Sequence, residues 1–426
     1  VLRILLGVDE SPCASLTVPS VILARDLTPS DMVMVDKALV LGFCTAEGGA
    51  RSHTAILARG LGLPAVVGVG PEVRDVPEGM TLVLDGAEGV LLVDPDEKTV
   101  EDYRERQATR DTMLAHAREQ AHAPAITRDG HRVHVVANIG SVEEVETALG
   151  AGAEGVGLLR TEFLYLERGH LPDEEEQYQA YQAIVDGFGD LPVVLRTLDI
   201  GGDKDLPYLD LPHEVNPFLG LRAIRLSLAQ PELFKPQLRA ALRAGAGGNL
   251  KIMLPMVATG AEVRAARAVL EECRVELLAE GRSVAEEMEI GIMVEVPAAA
   301  LMADRLAREV DFFSIGTNDL AQYTLAADRT SPSVSQLADG FQLAVLRLVR
   351  DVIAAAHAQG KWVGVCGELA GEPLAVPILL GLGLDEFSMN PPAIPLVKQI
   401  VRTLTLDEAR DVAHAALELD SADAVR

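Results

Sequence analysis

No stretch of this sequence approaches the ~18–20 consecutive apolar residues that a membrane-crossing helix needs, so no spanning segment and no membrane partner are expected. Positive charge is scarce as well. Lys and Arg number 37 against 64 Asp and Glu, a net charge of -27, which argues against nucleic acid or an anionic membrane surface as the main partner. The acids are spread along the chain rather than gathered into a tail, and they read as a solvated surface. Cysteine is sparse. Cys13, Cys44, Cys273 and Cys366 stand far apart without metal-ligand spacing, the usage expected in a reducing cytoplasm. Low-complexity segments are missing too. The start, Val1-Leu2-Arg3-Ile4-Leu5-Leu6-Gly7, has neither the basic leader nor the small-residue cleavage site of a signal peptide. It reads as a helix end cut from something longer, so the chain is expected to be a fragment.

What is present is apolar and periodic. Hydrophobic residues make up 49% of the 426 positions, enough for a sizeable core. Residues 1–95 hold short apolar runs split by turns, such as 21–24, 38–43, 64–69, 81–84 and 89–93, and predict a small α/β domain. Residues 96–125 are charged and helix-favouring with few apolar positions, which predicts a solvated linker helix. From 126 to 426 eight buried runs (133–139, 155–159, 193–196, 251–255, 290–294, 312–315, 362–366 and 386–389) alternate with amphipathic stretches. That alternation predicts a (β/α)8 TIM barrel. A doubly wound open sheet is the alternative, but no phosphate-binding glycine fingerprint follows the first run.

Barrels of this kind carry their chemistry where the strands end. Here the ends deliver Arg160, Arg196 with Lys204 shortly after it, Glu295, Asn318-Asp319 and Cys366. Arginines clamp phosphate and carboxylate through bidentate hydrogen bonds. Glu295 and Asp319 supply hard oxygen ligands from adjacent strands, suited to Mg²⁺. Each charge taken singly reads as a rim salt bridge, but a set gathered at one end of the barrel reads as a site. A cysteine in an apolar strand is usually inert packing, whereas Cys366 falls at the mouth, where a thiol can give or take a proton. In the small domain Gly48-Gly49-Ala50-Arg51-Ser52-His53-Thr54 leads into a short apolar helix. His53 is thereby expected in its first turn, where unpaired backbone N–H groups favour added negative charge. The bland reading of that stretch is a glycine turn before a surface helix with an incidental histidine.

These residues together resemble one family. The His53 segment, Leu27-Thr28-Pro29-Ser30, Asn138-Ile139-Gly140, Arg160-Thr161-Glu162-Phe163, the run from Arg196 to Lys204, Asn216-Pro217-Phe218-Leu219-Gly220-Leu221-Arg222, Ser314-Ile315-Gly316-Thr317-Asn318-Asp319-Leu320, Asp328-Arg329 and Cys366-Gly367-Glu368-Leu369-Ala370-Gly371 are similar to phosphoenolpyruvate-protein phosphotransferases. This family is enzyme I of the bacterial phosphotransferase system for sugar uptake. The resemblance implies a swivelling phosphohistidine domain, a linker helix and a phosphoenolpyruvate-binding barrel. It implies that Arg160, Arg196 and Arg329 contact the phosphate and carboxylate of phosphoenolpyruvate, helped by Lys204, Arg222 and Asn318. Glu295 and Asp319 would hold Mg²⁺, His53 would take the phosphoryl group, and Cys366 would protonate the enolate to give pyruvate. The phosphoryl group would then pass to a histidine of a small phosphocarrier protein, in a cytoplasmic enzyme that forms a homodimer through its barrel.

Three departures from the family pattern stand out. The carrier-docking domain is represented only by an apparent last turn at the start of the chain. Arg51 stands where the family usually has Thr, placing a cation beside His53. The segments 336–343 and 390–392 also differ from the expected loops. Two other readings share the chemistry: the C-terminal part of a pyruvate phosphate dikinase or phosphoenolpyruvate synthase, and a regulatory phosphorelay paralogue.

Overall fold

The structure, a computed structural model, describes residues 16–27, 36, 38–48, 58, 62–166, 169–201, 208, 214–331 and 333–426. Contacts divide the chain into two units. One comprises Val1–Met113 with Asp328–Leu337, the other Leu114–Ala327 with Ala338–Arg426.

In the first unit, strands β1 (Ser20–Ala24), β2 (Val40–Thr45) and β3 (Ala65–Val67) form a parallel sheet in that order. Strands β4 (Leu82–Asp85) and β5 (Val90–Val93) form an antiparallel pair. β2 is buried along most of its length, and Phe43 packs with Ile22, Leu27, Val40 and Ala58. Gly42 is needed there, because a Cβ would lie 2.6 Å from Leu84 Cδ2 and 2.8 Å from the Pro64 carbonyl oxygen. His53 and Arg51 lie outside the described residues. The helix Glu97–Glu119 buries only Ala117, as its charged sequence predicts.

The second unit is built on a closed sheet. After the two-residue strand β6 (Ala125–Ile126), antiparallel to its successor, come β7 (Arg132–Ile139), β8 (Val156–Leu159), β9 (Val193–Arg196) and β10 (Leu250–Leu254). β11 (Ile290–Val294), β12 (Phe312–Ile315), β13 (Trp362–Val365) and β14 (Glu386–Met389) complete it. Each strand from β7 onward pairs in parallel with the next, and β14 pairs with β7. That closing pair makes a (β/α)8 barrel and excludes the open sheet. The strand ends fall within one residue of the runs expected from the sequence.

Two hydrophobic layers hold the barrel. Leu158, Val194, Met253, Met293, Phe312 and Cys366 fill its interior, while the outward faces of the strands pack under the helices. Several helices begin with a capping box that satisfies otherwise orphaned N–H groups: Asp173 with Glu176, Thr259 with Glu262 and Thr405 with Glu408. At the N-terminal end of the barrel, acids set just before a strand close off the neighbouring ladder. Glu154 accepts from Val135 N at 3.0 Å, Asp311 from Ile290 N at 2.9 Å and Asp385 from Val363 N at 2.8 Å. Lys398, fully buried, donates to the Ala121 and Gly152 carbonyls at 3.0 and 2.6 Å. Among the described residues no helix is long and apolar enough to cross a membrane.

Candidate active site

The strand ends converge as expected, and they do so through a ladder of alternating charge. Glu162, two residues past Arg160, accepts from Arg196 Nη2 at 2.6 Å. Arg196 Nη1 lies 3.2 Å from Asp199 Oδ2. Asp199 in turn receives Arg222 Nε and Nη2 at 2.9 and 3.1 Å, a bidentate pair. Arg222 Nη1 reaches Asp319 Oδ1 at 3.2 Å and the Tyr323 hydroxyl at 3.1 Å. Every member from Glu162 to Asp319 is less than a tenth exposed. Burial lowers the pKa of both arginines, but the surrounding acids outweigh it. Glu162, Asp199 and Glu295 raise Arg196; Asp199, Asp319 and Glu295 raise Arg222.

Glu295 follows β11 and is buried, its Oε1 accepting from Met256 N at 2.6 Å. Met256 holds a φ of 55°, a left-handed conformation that a bulky residue seldom adopts, so the local backbone is strained where it serves this carboxylate. On the other side, a Cβ on Gly316 would sit 3.1 Å from Glu295 Oε2 and from Met293, so the glycine leaves room for the glutamate. Burial, then the charges of Asp319 and Asp199, push the Glu295 carboxyl up to about 8. The nearby Arg222 and Arg196 charges oppose this shift without cancelling it.

Arg160 is the cation that the ladder does not use. It is exposed at the mouth, and no described acid lies within ion-pair distance of it. Desolvation of its packed surroundings and then the Arg196 charge lower its pKa. Deeper in, Arg196 Nε, Thr197 Oγ1 and Thr317 Oγ1 are buried with no hydrogen-bond partner. Buried polar atoms without partners are uncommon, and a cluster of them at a barrel mouth offers itself to a ligand.

Cys366 ends β13. Its carbonyl accepts from Asn138 Nδ2 at 3.0 Å, and Asn138 Oδ1 accepts from Ser388 Oγ at 2.5 Å. Gly367 next to it approaches Thr317 so closely that a Cβ would lie 2.0 Å from Thr317 Oγ1. Burial pushes the thiol up to about 11, so it carries its proton at neutral pH. Asn318 Oδ1 accepts from Glu368 N at 3.1 Å, tying the turn after β12 to the turn after β13.

The structure thus brings together Arg160, Arg196, Arg222, Glu295, Asn318, Asp319 and Cys366. Arg222 differs from a ligand-facing arginine in that its three guanidinium nitrogens already donate to protein groups. Arg329 belongs to the stretch Asp328–Leu337 counted with the first unit. Lys204, like His53, lies outside the described residues. Sequence reasoning gave no role to Glu162 and Asp199 as pairing acids. Their signal was available, since both stand at strand ends two or three residues past an arginine.

Comparison with known proteins gives this geometry a context. Residues 114–406 match the family described as PEP-utilising enzyme, PEP-binding domain, and residues 16–89 match PEP-utilising enzyme, mobile domain. The phosphoenolpyruvate-protein phosphotransferase of Staphylococcus carnosus is 50% identical over 426 residues, covering 100% of this chain and 74% of that protein. The protein of the same name from Geobacillus stearothermophilus is 49% identical over 425 residues, with the same coverage. That of Bacillus subtilis is 47% identical over 421 residues, covering 99% of this chain and 74% of its relative.

Proposed function

This chain belongs to the phosphoenolpyruvate-protein phosphotransferase family, a family of transferases, and from that membership we propose that its barrel mouth binds phosphoenolpyruvate and transfers the phosphoryl group to His53. The observation that carries the reading is the surplus of donors at the mouth. Arg160 has no described acid within ion-pair distance, and Arg196 Nε has no partner, beside a ladder in which Arg196 and Arg222 are each paired with two acids. An anion with two charged ends suits that surplus.

Glu295 and Asp319 fit a hard divalent cation. Glu295 is held high by burial and then by the neighbouring Asp319 and Asp199 charges, the second of which a cation relieves, and Mg²⁺ is commonly bound through one or two carboxylates plus substrate oxygens and water. When bound, Mg²⁺ would supply positive charge to the phosphate oxygens. Arg160 and Arg196 would grip the phosphate and carboxylate, Arg222 would brace Asp199 and Asp319, and Asn318 would fix the turn that carries Asp319. Lys204 and Arg329 complete the expected binding set.

His53 then attacks phosphorus in line. An N–P bond forms, the bond from phosphorus to the enol oxygen breaks, and the electron pair stays on the enolate. The Cys366 thiol gives its proton to the enolate carbon, pyruvate leaves, and the thiolate is reprotonated from solvent. Phosphoryl transfer of this kind depends chiefly on positioning and charge stabilisation, which the mouth supplies. A domain organisation of 1–95 phosphohistidine domain, 96–125 linker and 126–426 barrel suits this sequence of events. The phosphoryl group passes next to a histidine of a small phosphocarrier, as the first step of sugar uptake, in a cytoplasmic homodimer.

The test is chemical. Incubated with labelled phosphoenolpyruvate and Mg²⁺, the protein should acquire acid-labile, base-stable label, and His53→Ala should acquire none. Label of the same amount and lability in that variant would refute the assignment.

A further inference from the structure

We propose that Gln237 is the positioning residue that fixes the spacing of Arg160 and Arg196 for phosphoenolpyruvate, an inference that rests on the binding role proposed above for the mouth. Gln237 belongs to the helix Pro231–Ala244, outside the barrel wall. It is 1% exposed on a buried face otherwise made of Leu233, Phe234, Leu238 and alanines with Leu242. A carboxamide in such a face costs free energy unless every one of its hydrogen-bonding groups finds a partner.

All of them do. Gln237 Oε1 accepts from Leu198 N at 2.8 Å, while Nε2 donates to Thr161 Oγ1 at 3.2 Å and to the Tyr181 hydroxyl at 3.1 Å. Thr161 Oγ1 passes its own hydrogen to the Arg196 carbonyl at 2.9 Å. The Tyr181 hydroxyl donates to Gln177 Oε1 at 3.1 Å, which also accepts from the Tyr165 hydroxyl at 3.0 Å. Gln177 Nε2 donates to the Pro172 carbonyl at 3.1 Å. Each hydroxyl gives one hydrogen, and the Thr161 and Tyr181 hydroxyls each receive one from Gln237, so every donor in the network has an acceptor.

The placement of its two inner contacts gives the inference its content. Thr161 stands between Arg160 and Glu162, and Leu198 stands between Arg196 and Asp199. One carboxamide therefore fastens together the turn after β8 and the turn after β9, the two turns that present the gripping arginines. Glu162 also ties these two turns, through Arg196 Nη2 at 2.6 Å and Asp199 N at 3.3 Å, but it leaves Thr161, the neighbour of Arg160, to be held by Gln237. A fully satisfied buried network selects one arrangement, and binding by two arginines at opposite ends of a small anion is sensitive to their separation.

The experiment is calorimetric titration of phosphoenolpyruvate with Mg²⁺ into the full chain carrying His53→Ala, here the parent, so that the heat is that of binding and not of phosphoryl transfer, with Tm measured on the same samples. Gln237→Met and Thr161→Val should each weaken binding about tenfold or more, within the ~100-fold that a ~1 Å misplacement can cost. Thr161→Ser, which keeps the hydroxyl, should bind within about twofold of the parent. Tyr181→Phe cuts the network on its outer side, leaving Leu198 and Thr161 attached to Gln237. It should lower Tm yet keep parental affinity. If Gln237→Met does not fold, Thr161→Val against Thr161→Ser decides. The inference is overturned if Thr161→Val binds as the parent does while its Tm falls, or if Tyr181→Phe loses as much affinity as Gln237→Met. A parent chain that binds no phosphoenolpyruvate overturns the proposed function itself, and this inference with it.

Discussion

The two ends of the barrel both bury charge, and they use it differently. At the N-terminal end the charged groups reach into the backbone as well as to one another: Glu154, Asp311 and Asp385 each accept a strand N–H while pairing with Arg132, Arg267 and His357, and Lys398 donates to two carbonyls. At the C-terminal end they terminate on one another, from Glu162 through Arg196, Asp199 and Arg222 to Asp319. Arg160 and several polar atoms are left over. Charge spent on the backbone fastens a structure. Charge matched to charge, with a surplus facing outward, keeps capacity for something that is not part of the chain.

The contrast is open to direct attack. The largest effect is expected at Arg196. Arg196→Ala leaves Glu162 and Asp199 buried without their shared cation, which should cost about 3–5 kcal/mol in chemical denaturation. A loss below about 1 kcal/mol would mean that the ladder contributes little. Next comes Cys366→Ala, which should slow pyruvate formation by about 10²–10⁴-fold, the range of a lost general acid, with phosphoenolpyruvate affinity kept. Unchanged turnover would remove the thiol from the reaction. At the opposite end Lys398→Met strips two buried carbonyls of their donor and should cost roughly 2–4 kcal/mol without weakening phosphoenolpyruvate binding.

The smallest effect concerns Glu386, at the start of β14. Burial, with Asp385 and Glu154 adding to it against Lys251, pushes its carboxyl up to about 7. A raised carboxyl binds its proton more tightly folded than unfolded. Stability should therefore be greatest below the unfolded value of about 4.3, fall as pH rises toward 7, and reach its full loss above that. Glu386→Gln should remove this slope, matching the parent near pH 4 and exceeding it by about 1–3 kcal/mol at pH 8. Parallel pH profiles for the two proteins would show that the carboxyl is not perturbed.

The eight strands were legible because each is a short buried run whose length and spacing leave few alternatives, and the mouth was legible because topology sends every strand end to one side. The pairing within the mouth was not. Arg196 and Arg222 look alike in sequence, yet one keeps an unpartnered Nε and the other is wholly engaged by Asp199, Asp319 and Tyr323. Gln237 was invisible for a related reason. It lies on an amphipathic helix far along the chain, and only packing brings its carboxamide between Thr161 and Leu198. Strand position follows from local pattern, whereas the partner of a buried polar atom is set by tertiary contact.

The most direct measurement is the affinity of phosphoenolpyruvate, with Mg²⁺ present, for three proteins: the parent, Arg160→Ala and Lys398→Met. Arg160→Ala removes the surplus cation, so binding should weaken by more than about tenfold, while Lys398→Met should match the parent. Equal affinity in the parent and Arg160→Ala would contradict the claim that the outward-facing charge of the mouth exists to hold an anion.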